Sequence, residues 1–212
     1  MKPWIHAVFL MAVAAVGPTA CRDGPQSPPI DARDQLLDQA LAVASTDPVR
    51  AADLFARAGP GPSLEETRMA VWADCLRRSS APPEMWRRYL ADQPSPRLAG
   101  RARLELIRTL VETGAVLEAI AERNLLSSDL QPAGDEALLS TTDPERKLQA
   151  ASRLLITSPK RLAAREKGLE QRLVKTLSPE DRLSRSRAWR REGAPSKAAV
   201  ELLSLIHISE PT

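Results

Sequence analysis

Residue types that commonly carry catalysis are scarce in this chain. Its two histidines are His6 and His207, near the ends of the 212 residues, so neither a Ser–His–Asp arrangement nor a histidine-containing zinc site is expected between them. Its two cysteines, Cys21 and Cys75, are too far apart to form a CxxC pair. Neither a P-loop nor a GxGxxG segment occurs, so no phosphate-cradling loop is expected. We therefore expect no catalytic residue, no cofactor and no metal ion in this chain.

Glutamates are the remaining candidates for acid–base chemistry. Two carboxylates can cleave a glycosidic bond when a cleft holds them at a fixed separation with different pKa values. Turn-spaced glutamates on an amphipathic helix more often form a solvated face, and we favour that interpretation here. The residues concerned are Glu65, Glu66, Glu84, Glu105, Glu112, Glu118 and Glu122.

The densest positive charge lies in Arg182–Arg191 (RLSRSRAWRR). Arginines interleaved with tryptophan can contact nucleic acid or another polyanion. However, Leu183, Ser186 and Trp189 share one helical face, which would leave the arginines mostly on the outer side. The whole chain has 30 basic and 27 acidic residues, a near-balance that gives no support for a nucleic-acid partner. We favour a solvated helix face and expect no nucleic acid.

Three aromatic residues could stack on sugars if they lined a concave wall. Trp72, Trp86 and Tyr89 occupy apolar positions of predicted helices. We therefore expect them in the hydrophobic core.

The elements that position these residues are all predicted to be helices. Only 3% of the residues are aromatic, and Ala, Leu and Arg, which are strong helix formers, are abundant. We predict about nine or ten short helices and no strand. Pairs in which Ser or Asp precedes Pro mark helix starts, and glycines mark helix ends. The starts are Asp47-Pro48, Ser95-Pro96, Asp143-Pro144, Ser158-Pro159 and Ser178-Pro179, a capping box at 63–66 precedes another helix, and Gly114 and Gly193 are ends.

Two pairs of segments repeat along the chain. Ser95–Arg101 (SPRLAGR) is echoed by Ser158–Arg165 (SPKRLAAR), and Gly114–Ile120 parallels Gly193–Ala199. In the second pair, a helix ends at Gly and the next helix presents Ala five residues later, where a small side chain permits close approach. This pattern is typical of tetratricopeptide-like helical hairpins, which bury their apolar faces by stacking. We predict an all-α fold in which they form a right-handed superhelix, an α-solenoid with a concave surface. A compact helical bundle is the alternative.

The N-terminal residues carry targeting signals. Lys2 precedes an apolar run, Ile5–Val16, that is shorter than the roughly 20 residues needed to span a bilayer, so we predict a signal peptide at 1–20. Thr19-Ala20-Cys21 resembles a bacterial lipoprotein processing site, at which Cys21 would be lipidated. Pro18 stands where leucine is usual, so ordinary cleavage, releasing a soluble periplasmic protein, is the alternative.

The rest of the chain is predicted to contain a tether, a domain and an unrelated tail. Residues 21–30 comprise Cys21 and a Pro/Gly/Ser-rich linker, and 31–202 form the helical domain. If Cys21 is lipidated, Cys75 is a lone packed thiol; otherwise the two could pair. Leu203–Thr212 (LSLIHISEPT) resembles translated adapter DNA from short-read sequencing libraries. We therefore expect the natural sequence to run to about Leu202 and to continue differently.

Segments across 31–202 resemble the helical region of soluble lytic murein transglycosylases. They are Leu177–Leu183 (LSPEDRL) with Arg185, Arg187, Ala188 and Gly193, then Ala198–Leu202 (AAVEL), and Trp86–Leu90 (WRRYL) extending to Ala102. The resemblance implies a helical scaffold that would precede a lysozyme-like domain cleaving peptidoglycan with one glutamate and no cofactor. That domain's Glu-Ser motif is absent here, so no catalytic residue is carried over.

The resemblance implies that the chain is the N-terminal helical scaffold of an envelope lytic transglycosylase acting on peptidoglycan, without the catalytic domain. Its expected partners are peptidoglycan or envelope proteins, together with the membrane through lipidated Cys21. Arg22, which follows Cys21, favours the outer membrane, facing the periplasm. The alternative is a non-enzymatic tetratricopeptide-like lipoprotein that serves as a protein-interaction scaffold.

Overall fold

A computed structural model describes residues 30–59 and 66–208, which form twelve helices and no strand. The predicted all-α fold is therefore confirmed. The signal peptide, Cys21 and residues 63–65 of the capping box lie outside the described residues. The helices are α1 (Ile30–Val43), α2 (Pro48–Ala58), α3 (Glu66–Arg78), α4 (Pro83–Ala91), α5 (Pro96–Glu112), α6 (Val116–Asn124), α7 (Gln131–Leu138), α8 (Pro144–Thr157), α9 (Pro159–Arg165), α10 (Lys167–Val174), α11 (Pro179–Arg191) and α12 (Pro195–Ile208).

Helix starts follow the predicted Asp-Pro and Ser-Pro pairs. The Asp47 carboxylate accepts a hydrogen bond from the Arg50 N–H at 2.9 Å, and the Ser178 hydroxyl accepts one from the Asp181 N–H at 3.1 Å. Asp143 caps α8 in the same way. Ser95 and Ser158 also precede helices, but their side chains make no capping bond. At all five starts, Pro occupies the first turn, where its missing N–H is not needed.

The two repeated Gly–Ala segments have the same backbone geometry. Gly114 and Gly193 adopt φ values of 80° and 74°, in the left-handed region that glycine tolerates. The N–H of the next residue then bonds five residues back, Ala115 to Leu110 at 2.8 Å and Ala194 to Trp189 at 2.9 Å. This is a Schellman ending. The alanines five residues after each glycine, Ala119 and Ala198, are fully buried.

The helices pack as a row of neighbours. The most extensive contacts join α1 to α2, α5 to α6, α7 to α8 and α11 to α12, and further contacts join α5 to α7 and α8 to α11. Within the described residues, every pair in extensive contact lies at most three places apart along the chain. Such near-neighbour packing is the pattern of a helical-repeat protein, so the predicted class of fold is confirmed.

Twelve helices exceed the predicted nine or ten because some boundaries lack a sequence marker. Glu166 separates α9 from α10 with φ −139° and ψ 57°, although neither Gly nor Pro stands at that position. Residues 125–130 form a short turn between α6 and α7, where Pro132 stands in the first turn of α7 but no Ser or Asp directly precedes it.

Aromatic residues form the N-terminal part of the core. Phe55 stacks on Trp72 with ring centroids 5.8 Å apart, and Trp72 meets Tyr89 edge-on at 5.1 Å. Trp86 meets Tyr89 at 6.2 Å, and all four rings are buried. The expectation that Trp72, Trp86 and Tyr89 belong to the core is confirmed. Leucines and alanines continue the core through α5, α7 and α8.

Candidate binding groove along α5

A continuous groove follows α5 through three adjoining depressions of about 360, 180 and 490 Å³. The first two lie beside α3 and share Arg77, Trp86, Glu105 and Arg108. The second shares Arg108 and Glu112 with the third, which continues to α7, α8 and α9. We call this surface the α5 groove. Its principal lining residues are Ala70, Ala73, Asp74, Arg77, Trp86, Leu98, Arg101, Ala102, Leu104, Glu105, Arg108, Glu112, Glu136, Lys147, Arg165 and Glu166.

The α3 end of the groove has an apolar floor. Ala70 and Ala73 on α3 line the same depression as Ala102 on α5, and their short side chains keep the space between the helices open. Leu98 and Leu104 add larger apolar surface. This end can therefore accept an apolar group.

Arginine–carboxylate pairs border that floor. The Arg77 guanidinium lies 2.6 Å from the Asp74 carboxylate, and the Arg108 guanidinium lies 2.6 Å from that of Glu105. Both pairs join residues three apart on one helix and are partly exposed. Exposed pairs of this kind contribute about 0–1 kcal/mol, so a ligand can displace either partner at low cost. Arg101 is exposed and has no ion pair among the described residues.

The α9 end of the groove is polar. Glu136 accepts hydrogen bonds from Arg161 at 2.6 Å and Arg165 at 3.0 Å. Nearby, the Lys147 ammonium lies 2.6 Å from the Glu166 carboxylate. This end offers both signs of charge to a ligand.

The groove carboxylate with a perturbed pKa is held as an anion. Partial burial acts to raise the pKa of Glu136, but the hydrogen bonds and charges of Arg161 and Arg165 outweigh it and lower that pKa below its usual value. A general acid needs the opposite shift. Burial raises the pKa of the Asp92 carboxyl, but Asp92 follows α4 and does not line the groove. Glu136 is thus suited to binding cations and donors, not to donating a proton.

A buried ion-pair network fixes the position of Glu136. The preceding residue, Asp135, has a side chain that is 1% exposed. Its carboxylate accepts bidentate hydrogen bonds from Arg123 on α6, at 3.0 and 2.5 Å, and a further hydrogen bond from Arg153 on α8 at 2.7 Å. Such charge-assisted bonds are among the stronger ones in proteins. Asp135 thereby ties α7 to both neighbours, and Glu136 is presented to the groove.

The glutamates considered for acid–base chemistry are dispersed over several helices. Glu65 lies outside the described residues. Glu105 and Glu112 line the groove, whereas Glu118 pairs with Arg87 and Glu122 with Arg103. Glu66 and Glu84 are exposed on α3 and α4. Within the described part of the chain, no three His, Cys, Asp or Glu side chains are grouped as a metal site would require.

The basic segment on α11 departs from its predicted arrangement. Arg187, Arg190 and Arg191 are exposed as predicted, but the Arg185 side chain is only 4% exposed and that of Arg182 only 15%. The prediction of an outward position is wrong for Arg182 and Arg185. Glu201 on α12 forms ion pairs with both arginines, and Glu170 on α10 forms one with Arg185.

The prediction that Leu183, Ser186 and Trp189 form one inner face of α11 is confirmed only in part. Ser186 and Trp189 are buried, whereas Leu183 is exposed.

The sequence analysis did not identify Glu136, Arg165 or Lys147 as groove residues. Glu136 and Arg165 are 29 positions apart, and no local pattern links them. They meet because α7 and α9 both pack near α8. The repeated SPKRLAAR segment, which contains Arg161 and Arg165, was the one feature of the sequence analysis that pointed to this part of α9.

The lipidation candidate Cys21 lies outside the described residues, and Cys75 is a buried free thiol. Within the described ranges, no helix has the length and apolar character needed to cross a membrane. Comparisons of the chain with protein-family models, with curated proteins and with solved structures find no significant match.

Proposed function

We propose that this chain is a non-catalytic helical scaffold of the bacterial cell envelope, the helical part of a lytic transglycosylase, and that its α5 groove positions peptidoglycan. The observation that carries the proposal is the groove itself, which runs across several helices with alternating arginines and glutamates. The resemblance of Leu177–Leu183 and Ala198–Leu202 to transglycosylase helical regions supports the choice of family.

The dimensions of the groove suit a polymer. Packed helices lie about 8–10 Å apart, so a groove that passes from α3 across α5 to α9 is longer than a single sugar or amino acid. Helical-repeat proteins commonly use such extended surfaces for binding.

The charges of the groove suit the peptides that peptidoglycan carries. Those peptides bear carboxylates and amines, and the glycan bears hydroxyls. Arg77, Arg101 and Arg108 can bind carboxylates, because a guanidinium offers paired donors that match carboxylate geometry. Glu112 and Glu136 can bind amines. A ligand with both signs of charge is therefore complementary to the groove.

In this proposal the scaffold itself breaks no bond. Cleavage of a glycosidic bond requires a protonated carboxylic acid at the leaving oxygen, and the lowered pKa of Glu136 opposes that state. Catalysis would belong to a lysozyme-like domain that follows the scaffold in the whole protein. Signal cleavage and two or more acyl chains on Cys21 would anchor the scaffold stably at the outer membrane.

A second candidate function is protein recognition by a tetratricopeptide-like lipoprotein. The apolar floor formed by Ala70, Ala73, Leu98 and Leu104 favours it, because such a floor accepts the apolar face of a helix.

Cosedimentation with purified insoluble peptidoglycan tests the leading proposal. We expect Arg101→Glu to reduce the bound fraction several-fold, because it puts a negative charge beside the apolar floor. The matched control is Arg187→Glu, the same charge change on an exposed residue of α11 outside the groove. Equal losses for both variants, or no binding by the unaltered chain, would contradict a specific groove.

Release of soluble muropeptides separates the two candidate functions. The gene product that continues past Leu202 is compared with residues 22–202 on the same peptidoglycan. Release by the longer protein only supports the transglycosylase, whereas release by neither favours the protein-binding scaffold.

A further inference from the structure

A second cleft lies between α10 and α12, with α11 as its floor. It encloses about 690 Å³ and is separate from the α5 groove. We call it the basic cleft and define it by Gly168, Glu170, Gln171, Arg172, Val174, Lys175, Arg185, Trp189, Lys197, Val200 and Glu201. All of these residues precede Leu203, where the adapter-like tail begins.

The floor of the basic cleft is built from ion pairs, which carry no net charge once neighbouring Arg182, also paired with Glu201, is counted. Buried Arg185 on α11 forms ion pairs with Glu170 on α10 and with Glu201 on α12, so one guanidinium joins both walls. Trp189 is buried beside Arg185, and the Lys197 ammonium lies 4.3 Å from the centroid of its ring. These contacts hold α10 and α12 apart at a fixed separation.

The walls of the cleft are positively charged. Arg172 and Lys175 are exposed on the α10 side and have no ion pair among the described residues. Exposed Lys197 stands on the α12 side, where its contact is the Trp189 ring. Since the charge of Arg185 is offset on the floor, the uncompensated charge of the cleft is carried by these three residues.

Apolar side chains stand among the basic ones. Val200 on α12 is 65% exposed, and Val174 at the end of α10 is half-buried. Within the described residues α10 has no fully buried side chain, and its extensive contacts are with α8 and α9. On the side that faces the cleft, α10 is joined to α11 through Glu170, and its other cleft residues can contact a ligand.

We propose that the basic cleft binds an acidic amphipathic helix of a partner protein. The apolar stripe of that helix would pack on Val174 and Val200, and its carboxylates would pair with Arg172, Lys175 and Lys197. Helix-in-groove recognition combines these two features. A flat anionic membrane would reach the rims but not the floor of a concave cleft, and exposed valine favours a peptide over a glycan or nucleic acid. This site is independent of what the α5 groove binds.

Fluorescence anisotropy with a designed peptide tests the proposal on the full chain. The probe is a labelled helix of about 18 residues, five turns, with an apolar Leu/Ala stripe flanked by glutamates. We expect saturable binding that weakens as salt increases, because exposed charges are screened. The Lys175→Glu/Lys197→Glu variant should bind about tenfold more weakly or worse, since two attractive contacts become repulsive. Val200→Asp should also weaken binding.

Matched controls separate the cleft from general charge attraction. Arg187→Glu/Arg190→Glu makes the same charge change on exposed residues of α11 that do not line the cleft, and it should bind within about twofold of the unaltered chain. Circular dichroism verifies that each variant is folded.

Three results would overturn the proposal. One is equal loss for the cleft and control variants; another is equal binding of a proline-interrupted peptide of the same composition. The third is that the chain binds vesicles containing anionic lipid but does not bind the peptide, and that Lys175→Glu/Lys197→Glu weakens the vesicle binding. That result would identify the cleft as a membrane-binding surface.

Discussion

Asp135 and Glu136 are adjacent on α7 but belong to different ion-pair networks. Asp135 is buried between Arg123 of α6 and Arg153 of α8, whereas Glu136 lines the α5 groove and bonds two arginines of α9. Two adjacent carboxylates therefore have different surroundings, since one joins α7 to its neighbouring helices and the other lies on the surface of the α5 groove.

Replacement of Asp135 by Asn should destabilise the whole helical row. It leaves Arg123 and Arg153 without a counter-charge, and Arg123 has a side chain only 13% exposed. We expect a loss of about 2–3 kcal/mol in the free energy of unfolding, somewhat less than for a fully buried pair, because Arg153 is about a third exposed. Urea denaturation measures the loss. Glu136→Gln is the neighbouring control and should cost less than about 1 kcal/mol.

Acid should reduce the contribution of the ionised Glu136 side chain to the free energy of unfolding. Its pKa in the folded chain is below the ordinary value of 4.5. The carboxylate therefore adds stability above about pH 4.5, and that stability is lost as the pH falls through the lower folded value.

The test compares urea denaturation of Glu136→Gln and of the unaltered chain between pH 7 and pH 3. The difference in free energy of unfolding should be present at pH 7 and shrink in acid. A difference that grows in acid would contradict the direction assigned to Glu136.

The helix-ending glycines should resist replacement for conformational reasons alone. Gly114 and Gly193 have positive φ, yet an added Cβ would meet no atom within 4 Å at either position. We expect Gly114→Ala and Gly193→Ala each to cost about 1 kcal/mol from backbone strain. Gly168→Ala is the matched control, because Gly168 lies within α10 and has similar free space. That change should stabilise the chain by roughly 0.5–1 kcal/mol, as thermal unfolding can measure.

Many helix ends could be predicted from the sequence, whereas the ion pairs between distant residues could not. The signals at helix ends act over a few residues. The Asp-Pro and Ser-Pro pairs therefore predicted helix starts, and Gly114 and Gly193 predicted helix ends. The boundary at Glu166 has no local marker, and the burial of Arg185 depends on Glu201, which lies on another helix. Periodicity identifies the faces of a helix, but neighbouring helices decide which charged residues become buried.

Lipidation should depend on Cys21 and not on Cys75. In cells supplied with an alkyne-tagged fatty acid, the unaltered chain should become labelled and Cys21→Ala should not. Cys75→Ala should retain the label, because the Cys75 thiol is buried in the fold. Labelling that persists in Cys21→Ala would exclude Cys21 as the anchor.

Site-specific photo-crosslinking can show whether peptidoglycan occupies the α5 groove. A benzophenone side chain is placed at Ala70, exposed in the α5 groove, and separately at Val49, exposed on α2 outside it. We expect crosslinks from position 70, fewer of them in the Arg101→Glu variant, and few from position 49. Equal crosslinking from the two positions, or none from position 70, would contradict the assignment of the α5 groove as the peptidoglycan-binding surface.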